Sequence, residues 1–297
     1  MRIAHLSDFH FATPSFGVSQ FFSKRWLGNL NLLLNRKKHH CNQRPFSLPK
    51  YLSDLKVNVV VITGDFTTTS HPKEYAEAQR LIAAFTHEGL SPLVIPGNHD
   101  HYTARAARKH RFYTYFPPKS SPILPHFNLK DHGVAVYPLQ RKWHLIALDT
   151  TLATPLYASN GLFSAQLEKH VTTLLAELPS DCFLVMINHF PFLPIGHPRR
   201  HLHRGSKLER ILRNDPRIRL YLHGHTHKQS VSDLRTSSLP ITLDSGSTSF
   251  SRGSWNLLDL SEEAQCTLTP YVGKALSWEP CNSHFFAWEK KDGPKHA

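Results

Sequence analysis

The sequence predicts an α/β layered fold with a β-rich closing half, and three observations carry that expectation. Short apolar runs ending in polar clusters recur along the chain, helical periodicity fills several gaps between them, and strand-like runs crowd the end. In order, "RIAHL", "VNVVVIT", "PLVIP", "KWHLIAL", "CFLVMIN" and "IRLYLHG" read as buried strands, and "LPITLD", "WNLLDL" and "QCTLTPYV" supply the β-rich close.

Two helices stand out between the strands. In "SHPKEYAEAQRLIAAFTHEG", Pro72 suits a first helical position, and Tyr75, Ala78, Leu81, Ile82 and Phe85 keep a helical period up to Gly89. In "SAQLEKHVTTLLAEL", Ser164 is the expected cap, and Leu167, Val171, Leu174, Leu175 and Leu178 share one face.

No composition shift marks a boundary in the 297 residues, so one domain is expected over 1–290, with "KDGPKHA" supplying a loose tail over 291–297. The formal net charge of +13 should attract phosphates, nucleic acid or an anionic membrane, and charge alone does not choose among them. Cys41, Cys182, Cys266 and Cys281 form no CxxC pair, which argues against a zinc ribbon or redox motif and for reduced thiols in the cytosol. The start "MRIAHLSDFH" has no signal-like apolar core, and no run reaches the roughly 18 apolar residues of a spanning helix, so any membrane contact is expected to be peripheral.

Metal-type residues follow five of the strands: Asp8 and His10, then Asp65, then Asn98, His99 and Asp100, then His189, then His223, His225 and His227. Sites in open α/β sheets form there, beyond the strand carboxyl ends. Asp8 and His10 are two apart, as are His225 and His227, so an extended strand end would point each pair to one side. Each signal taken singly is weak, because an Asp or His after a strand is commonly a turn residue. Imidazole and carboxylate without thiolate suit manganese, zinc, iron or magnesium, and so many ligands exceed one tetrahedral ion. Two divalent ions sharing a bridging carboxylate is the economical reading.

The series "DFH", "GDF", "GNHD", "NHF" and "GHTH", spanning residues 8 to 227, resembles that of the calcineurin-like metallophosphoesterases. The resemblance implies a four-layer α/β/β/α sandwich with two metals at one edge. Carried over position by position, it implies that Asp8, His10, Asp65 and His227 hold one ion, and Asp65, Asn98, His189 and His225 the other. It makes His99 a proton donor or transition-state partner on the leaving-group side, with the Asp100 carboxylate fixing its tautomer. His223 is expected to support the strand without ligating.

The protein Ser/Thr phosphatases of this superfamily carry "GDxVDRG" and "GNHE", with an arginine that grips a monoester; this chain has "GDFTTTS" and "GNHD". Its text is more similar to the branch of phosphodiesterases and of pyrophosphatases that split UDP-2,3-diacylglucosamine in lipid A synthesis. Within "FFSKRWLGNLNLLLNRKKHH", Phe22, Trp26, Leu30 and Leu33 fall within roughly 80° of a helical wheel, flanked by Lys24, Arg25, Arg36, Lys37 and Lys38. That is the pattern of an interfacial anchor, with Trp26 and Leu30 available to acyl chains, although a core helix with a basic end has the same pattern. "KRWLGNLNLLLNRK" resembles an insertion of the membrane-peripheral group of those pyrophosphatases, which implies a cytoplasmic enzyme on the inner membrane face with manganese as its metal.

A second basic stretch, "GHPRRHLHRGSKLER", offers Arg199, Arg200, Arg204 and Lys207 to a diphosphate, with Arg204 preferred because a helix start should hold it nearby. Its bland alternative is a solvated loop. The competing functions are a nucleic-acid exonuclease or cyclic-nucleotide phosphodiesterase, and a non-catalytic scaffold on the same fold. No stacking-aromatic RNA motif or DNA-capping domain supports the nucleic-acid reading. The filled ligand positions argue against a scaffold.

Overall fold

The computed structural model describes residues 1–13, 43–155, 157–275 and 277–288. One sheet runs in the order β14-β13-β12-β1-β2-β3, with β15 paired alongside β13. Its strands are β1 Arg2–Leu6, β2 Val59–Ile62, β3 Ser91–Val94, β12 Ser254–Leu260, β13 Gln265–Lys274, β14 Ser277–Pro280 and β15 His284–Ala287. The other sheet is β10-β11-β9-β7-β5-β4, built from β4 Val134–Pro138, β5 Trp143–Leu148, β7 Phe183–Ile187, β9 Ile218–His223, β10 Ser230–Asp233 and β11 Ile241–Asp244. A short parallel pair, β6 Gly161–Leu162 with β8 Leu202–His203, ties two loops together.

The period-two side-chain pattern makes this a sandwich. Leu145, Ala147, Val185, Ile187, Leu220 and Leu222 join one core with Ile3, Val59 and Val61 of the opposing sheet. Their neighbours Ile146, Leu148, Leu184, Met186 and Tyr221 turn the other way into a second core. Helices cover both outer faces: α1 Leu48–Asp54 and α2 Pro72–His87 on one, α6 Ala165–Glu177 and α7 Gly205–Asn214 on the other. The short α3 Ala104–Arg108, α4 Arg111–Tyr115 and α5 Leu129–His132 complete the α-helices among the described residues. The fold is the four-layer α/β/β/α arrangement that the motif resemblance implies.

The two long helices form where their periodicity places them. Pro72 opens α2, and its cap is His71, whose backbone N–H donates to Glu74 Oε2 while its Nδ1 accepts from Lys73. Ser164 caps α6 by accepting from the Leu167 N–H at 3.0 Å. Burying Leu167, Val171, Leu174 and Leu175 contributes roughly 2 kcal/mol per side chain, well above the ~0.7 kcal/mol per residue spanned by ordinary helix propensities. Packing therefore decides this helix despite its paired threonines.

β1, β2 and β3 are mutually parallel, as are β5, β7, β9 and β11, so their carboxyl ends deliver loops to common edges. Those loops carry the metal-type residues.

Candidate metal centre

Asp8 and His10 follow β1, but they do not converge through strand alternation. Both have left-handed backbone, with φ of 56° and 49°, and so do Asp65, His225 and His227 at 55°, 70° and 60°. This corrects the extended-strand geometry expected from the spacing. Each such non-glycine residue costs about 1–2 kcal/mol, so the surrounding contacts must hold it there.

Those contacts form one lattice. The first loop zips onto the second through Asp8 N to Gly64 O at 3.0 Å, His10 N to Asp65 O at 2.9 Å and Phe11 N to Phe66 O at 2.8 Å. Ser247 Oγ donates to the Asp8 carbonyl at 2.7 Å, Ser249 Oγ donates to that of Phe9, and Thr248 N donates to that of Ser7. The loops also pack too closely for side chains at two glycines. A Cβ on Gly97 would lie 2.2 Å from Asp65 Oδ1, and one on Gly224 would lie 2.4 Å from Asp8 Oδ2.

The donor atoms gather in two groups. Asp8 Oδ1 lies 3.1 Å from His227 Nε2 and 3.4 Å from His10 Nε2, and the two imidazole nitrogens are 3.0 Å apart. With Asp65 they present one ligand atom each, all within 4.8 Å of one another. In the second group His189 Nε2 is 3.0 Å from Asn98 Oδ1 and 3.3 Å from His225 Nδ1. Asp65 Oδ2 faces both groups, 3.7 Å from His10 Nε2 and 3.4 Å from His189 Nε2, while Asp65 Oδ1 accepts the His99 N–H at 2.7 Å.

Backbone carbonyls set the tautomers of two of these histidines, in opposite senses. His189 Nδ1–H donates to Thr63 O at 2.7 Å, leaving Nε2 as the ligand atom. His225 Nε2–H donates to Arg200 O at 3.0 Å, leaving Nδ1.

The residues fit two divalent ions. Lone-pair-bearing atoms converge on one another with too few hydrogens between them, and Asp8 Oδ1 is buried without a hydrogen-bond partner. The centre recruits positive charge. Burial pushes the Asp8 carboxyl up, yet the charge of His227 and the close approach of the His10 and His227 rings outweigh it and hold Asp8 well below the carboxylate range. Burial lowers His189, but the Asp65 carboxylate carries it up to about 9. Burial and the neighbouring His189 and Arg200 push His225 well down.

His99 stands beside the first group, its ring edge-on to His10 at 4.7 Å and stacked on Tyr102 at 5.5 Å. The Asp100 carboxylate does not fix its tautomer, contrary to expectation. His99 Nδ1–H donates to Thr68 O at 2.7 Å. Asp100 instead accepts from the backbone N–H of Phe66, Thr67 and Gly97 and from the Thr67 hydroxyl, bracing the second loop against the third. Its role is thus to position loops, because its oxygens are taken up by the scaffold. Burial and the Asp65 charge raise it to about 7, against the pull of those hydrogen bonds.

The basic residues separate. Arg200 donates to the His225 carbonyl at 3.0 Å, so it borders the centre. Arg199 lies over the Tyr157 ring at 5.2 Å. Arg204, the preferred diphosphate contact from sequence, is committed elsewhere: its Nε donates to Phe163 O at 3.0 Å and its guanidinium pairs with Glu168 of α6. Lys207, in the first turn of α7, makes no ion pair among the described residues. His223 Nδ1 lies 3.3 Å from Asp244 Oδ2 and takes no place in either group. Trp26 and Leu30 lie outside the described residues.

Sequence reasoning missed the Thr68 carbonyl, Tyr102 and the clamps Ser247 and Ser249. A backbone acceptor leaves no residue signature, and "DSGSTS" reads as an ordinary turn. Only the glycine-serine density after a strand hinted at a close approach.

A two-sheet sandwich whose parallel strand ends assemble two such ligand groups around one carboxylate defines a metal-dependent hydrolase of phosphate esters. The family model for calcineurin-like phosphoesterases matches residues 1–229, and the chain belongs to that family. It is 23% identical over 245 residues to the glycerophosphodiester phosphodiesterase GpdQ of Enterobacter lignolyticus (strain SCF1), covering 80% of this chain and 75% of the relative. Its fold is similar to that of a dimetal phosphatase from Danio rerio, with TM-score 0.62 and 12% identity over 97% of this chain and 99% of that one. It is also similar to purple acid phosphatase PPD1 from yellow lupin, with TM-score 0.57 and 10% identity over 96% of this chain and 53% of that one.

Proposed function

We propose that the protein cleaves a phosphodiester or diphosphate bond, and that its substrate is UDP-2,3-diacylglucosamine, split into 2,3-diacylglucosamine 1-phosphate and UMP. One observation carries the reaction class. Where the protein phosphatases have the arginine of "GDxVDRG", this chain has Thr67, Thr68, Thr69 and Ser70, all buried. Their hydroxyls bind Asp100, the His10 carbonyl, Glu74 and the His99 carbonyl, so this loop offers scaffold contacts in place of a cation for a monoester.

When bound, two divalent ions, manganese on this reading, acidify a water and neutralise charge on the phosphoryl oxygens. The chain's own residues do the rest. Asp65 spans the two positions, and the carbonyls of Thr63 and Arg200 lock the ring orientations of His189 and His225. His99 spends its Nδ1–H on Thr68, so any proton it exchanges with the leaving group passes through Nε2. On this reading Arg200, which donates to the His225 carbonyl, meets a second phosphoryl group.

The lipid-linked substrate is supported by sequence: the basic amphipathic pattern of 21–40 follows the first metal loop, and its text is similar to the membrane-peripheral pyrophosphatases. This reading carries a location on the cytoplasmic face of a membrane. A second reading, hydrolysis of a small glycerophosphodiester, is favoured by the similarity to GpdQ.

The deciding experiment presents purified protein, loaded with manganese, zinc or magnesium, with UDP-2,3-diacylglucosamine, a glycerophosphodiester, a cyclic nucleotide, single-stranded DNA and a phosphopeptide. Release of UMP from the first is expected, and its absence with every metal rejects the lipid-linked substrate. Turnover of the glycerophosphodiester alone establishes the second reading.

A further inference from the structure

Two loops of the second sheet form a lip beside the metal centre. One runs from β5 to α6 and the other from β7 to α7, and the β6–β8 pair joins them. Ser159 N donates to Arg199 O at 2.8 Å, and Asn160 Nδ2 donates to Pro198 O at 3.0 Å. At its inner end the lip is bolted to the centre, because Arg200 both accepts from His225 Nε2 and donates to the His225 carbonyl.

The outer end has a different character. Residues 194–200, "PIGHPRR", are all exposed, with Ile195 at 51%, and Tyr157 of the other loop is 69% exposed with Arg199 across its ring. No Asp or Glu occurs between Thr150 and Leu167 or between Cys182 and Leu208. Isolated exposed apolar residues are ordinary on a protein surface. Here an exposed tyrosine and isoleucine share an acid-free rim with arginines, and the rim is held rigidly against a phosphate-ester centre.

We propose that this lip docks on an anionic lipid surface, with Tyr157 and Ile195 entering the headgroup region and Arg199 meeting lipid phosphates. Apolar burial and electrostatic attraction add at such a surface, and tyrosine suits its amphipathic depth. The Arg200–His225 contacts then hold the metal centre at the level where a lipid-linked phosphate emerges. The inference deepens the lipid-linked reading, and its binding test uses no lipid-linked substrate, so the two can fail separately.

The full-length, metal-loaded protein is floated with vesicles of phosphatidylcholine alone and of phosphatidylcholine mixed with phosphatidylglycerol. Binding to the mixed vesicles is expected, weakened about tenfold by Tyr157→Ser with Ile195→Ser, while hydrolysis of a small soluble diester is retained. A second variant, Ile195→Cys carrying an environment-sensitive fluorophore, is made in a Cys41→Ser, Cys281→Ser background because Cys281 is exposed whereas Cys182 and Cys266 are buried. Its emission should shift to the blue on adding mixed vesicles. Unchanged binding by the double variant with no spectral shift overturns the proposal, and is the result expected if the lip seats an acidic protein instead. Equal binding to neutral vesicles overturns it as well. Vesicle binding without UMP release leaves the lip intact and rejects only the substrate.

Discussion

His99 Nδ1 lies 2.7 Å from the carbonyl oxygen of Thr68, and this contact determines which ring nitrogen remains for the reaction. The acceptor belongs to the backbone of the second metal loop, so the ring is registered to the same segment that carries Asp65. His99→Gln should lower kcat on a soluble diester by about 10²–10⁴, while metal content by elemental analysis stays at the wild-type level. A matching loss of metal would make His99 a structural residue.

Gly97→Ala places a methyl group against Asp65 Oδ1 and Asp65 N, at 2.2 and 2.4 Å. The loop must shift, at about 1–3 kcal/mol of stability, and Asp65 shifts with it. Reduced metal uptake is therefore expected along with a lower urea midpoint. Gly89→Ala, where φ is +76° but nothing lies within 4 Å, should cost roughly 1 kcal/mol and leave metal uptake alone.

Arg200 and Arg204 should separate cleanly. Arg204→Ala removes a partly exposed pair with Glu168, worth at most about 1 kcal/mol, and should leave KM unchanged. Arg200→Ala should raise KM for a diphosphate roughly tenfold, the scale of one lost charge-assisted hydrogen bond. The reverse pattern in steady-state kinetics would restore Arg204 as the phosphate contact.

His5, on β1 and fully buried, is held down to about 3, first by burial and then by the neighbouring His223. Its folded value lies below the ordinary 6.5, so the unfolded chain takes up a proton that the native chain refuses. Stability from this group is fully present above pH 6.5 and falls with pH through the window down to about 3. Between pH 6.5 and 5 the loss is about 2 kcal/mol. His5→Gln should flatten the pH dependence of the urea midpoint relative to wild type over that window, and parallel curves would show that His5 contributes nothing.

The legible parts of the molecule were those that side-chain pattern controls. The strands around Ile3, Val60, Val185 and Leu220 announce themselves because each is buried on both faces, and α2 and α6 because one stripe is apolar. The motif spacing named residues that the fold brings together. Geometry set by the backbone was not legible. The left-handed turns at Asp8 and His10 replace the strand alternation that the spacing suggested, and the partners of Asp100 and Arg204, the loop N–H groups and Glu168, were not foreseen because they are distant or carry no side-chain signal. The short β14 and β15 escaped as well, since a few residues of mixed polarity lack a period, and so did the edge strand β4, whose five residues are apolar without alternation.

The hydroxyls of Ser247 and Ser249 reach the Asp8 and Phe9 carbonyls from a segment that begins after residue 229, where the family match ends. All seven candidate ligands precede that point, yet β12, which pairs with β1, and these two clamps come after it. A transplant of the motif-bearing part alone would carry the full roster of metal donors without the fasteners that keep the first of them turned inward. In grafting or shortening this chain, the unit to preserve is thus the ligand loops together with their C-terminal fastening.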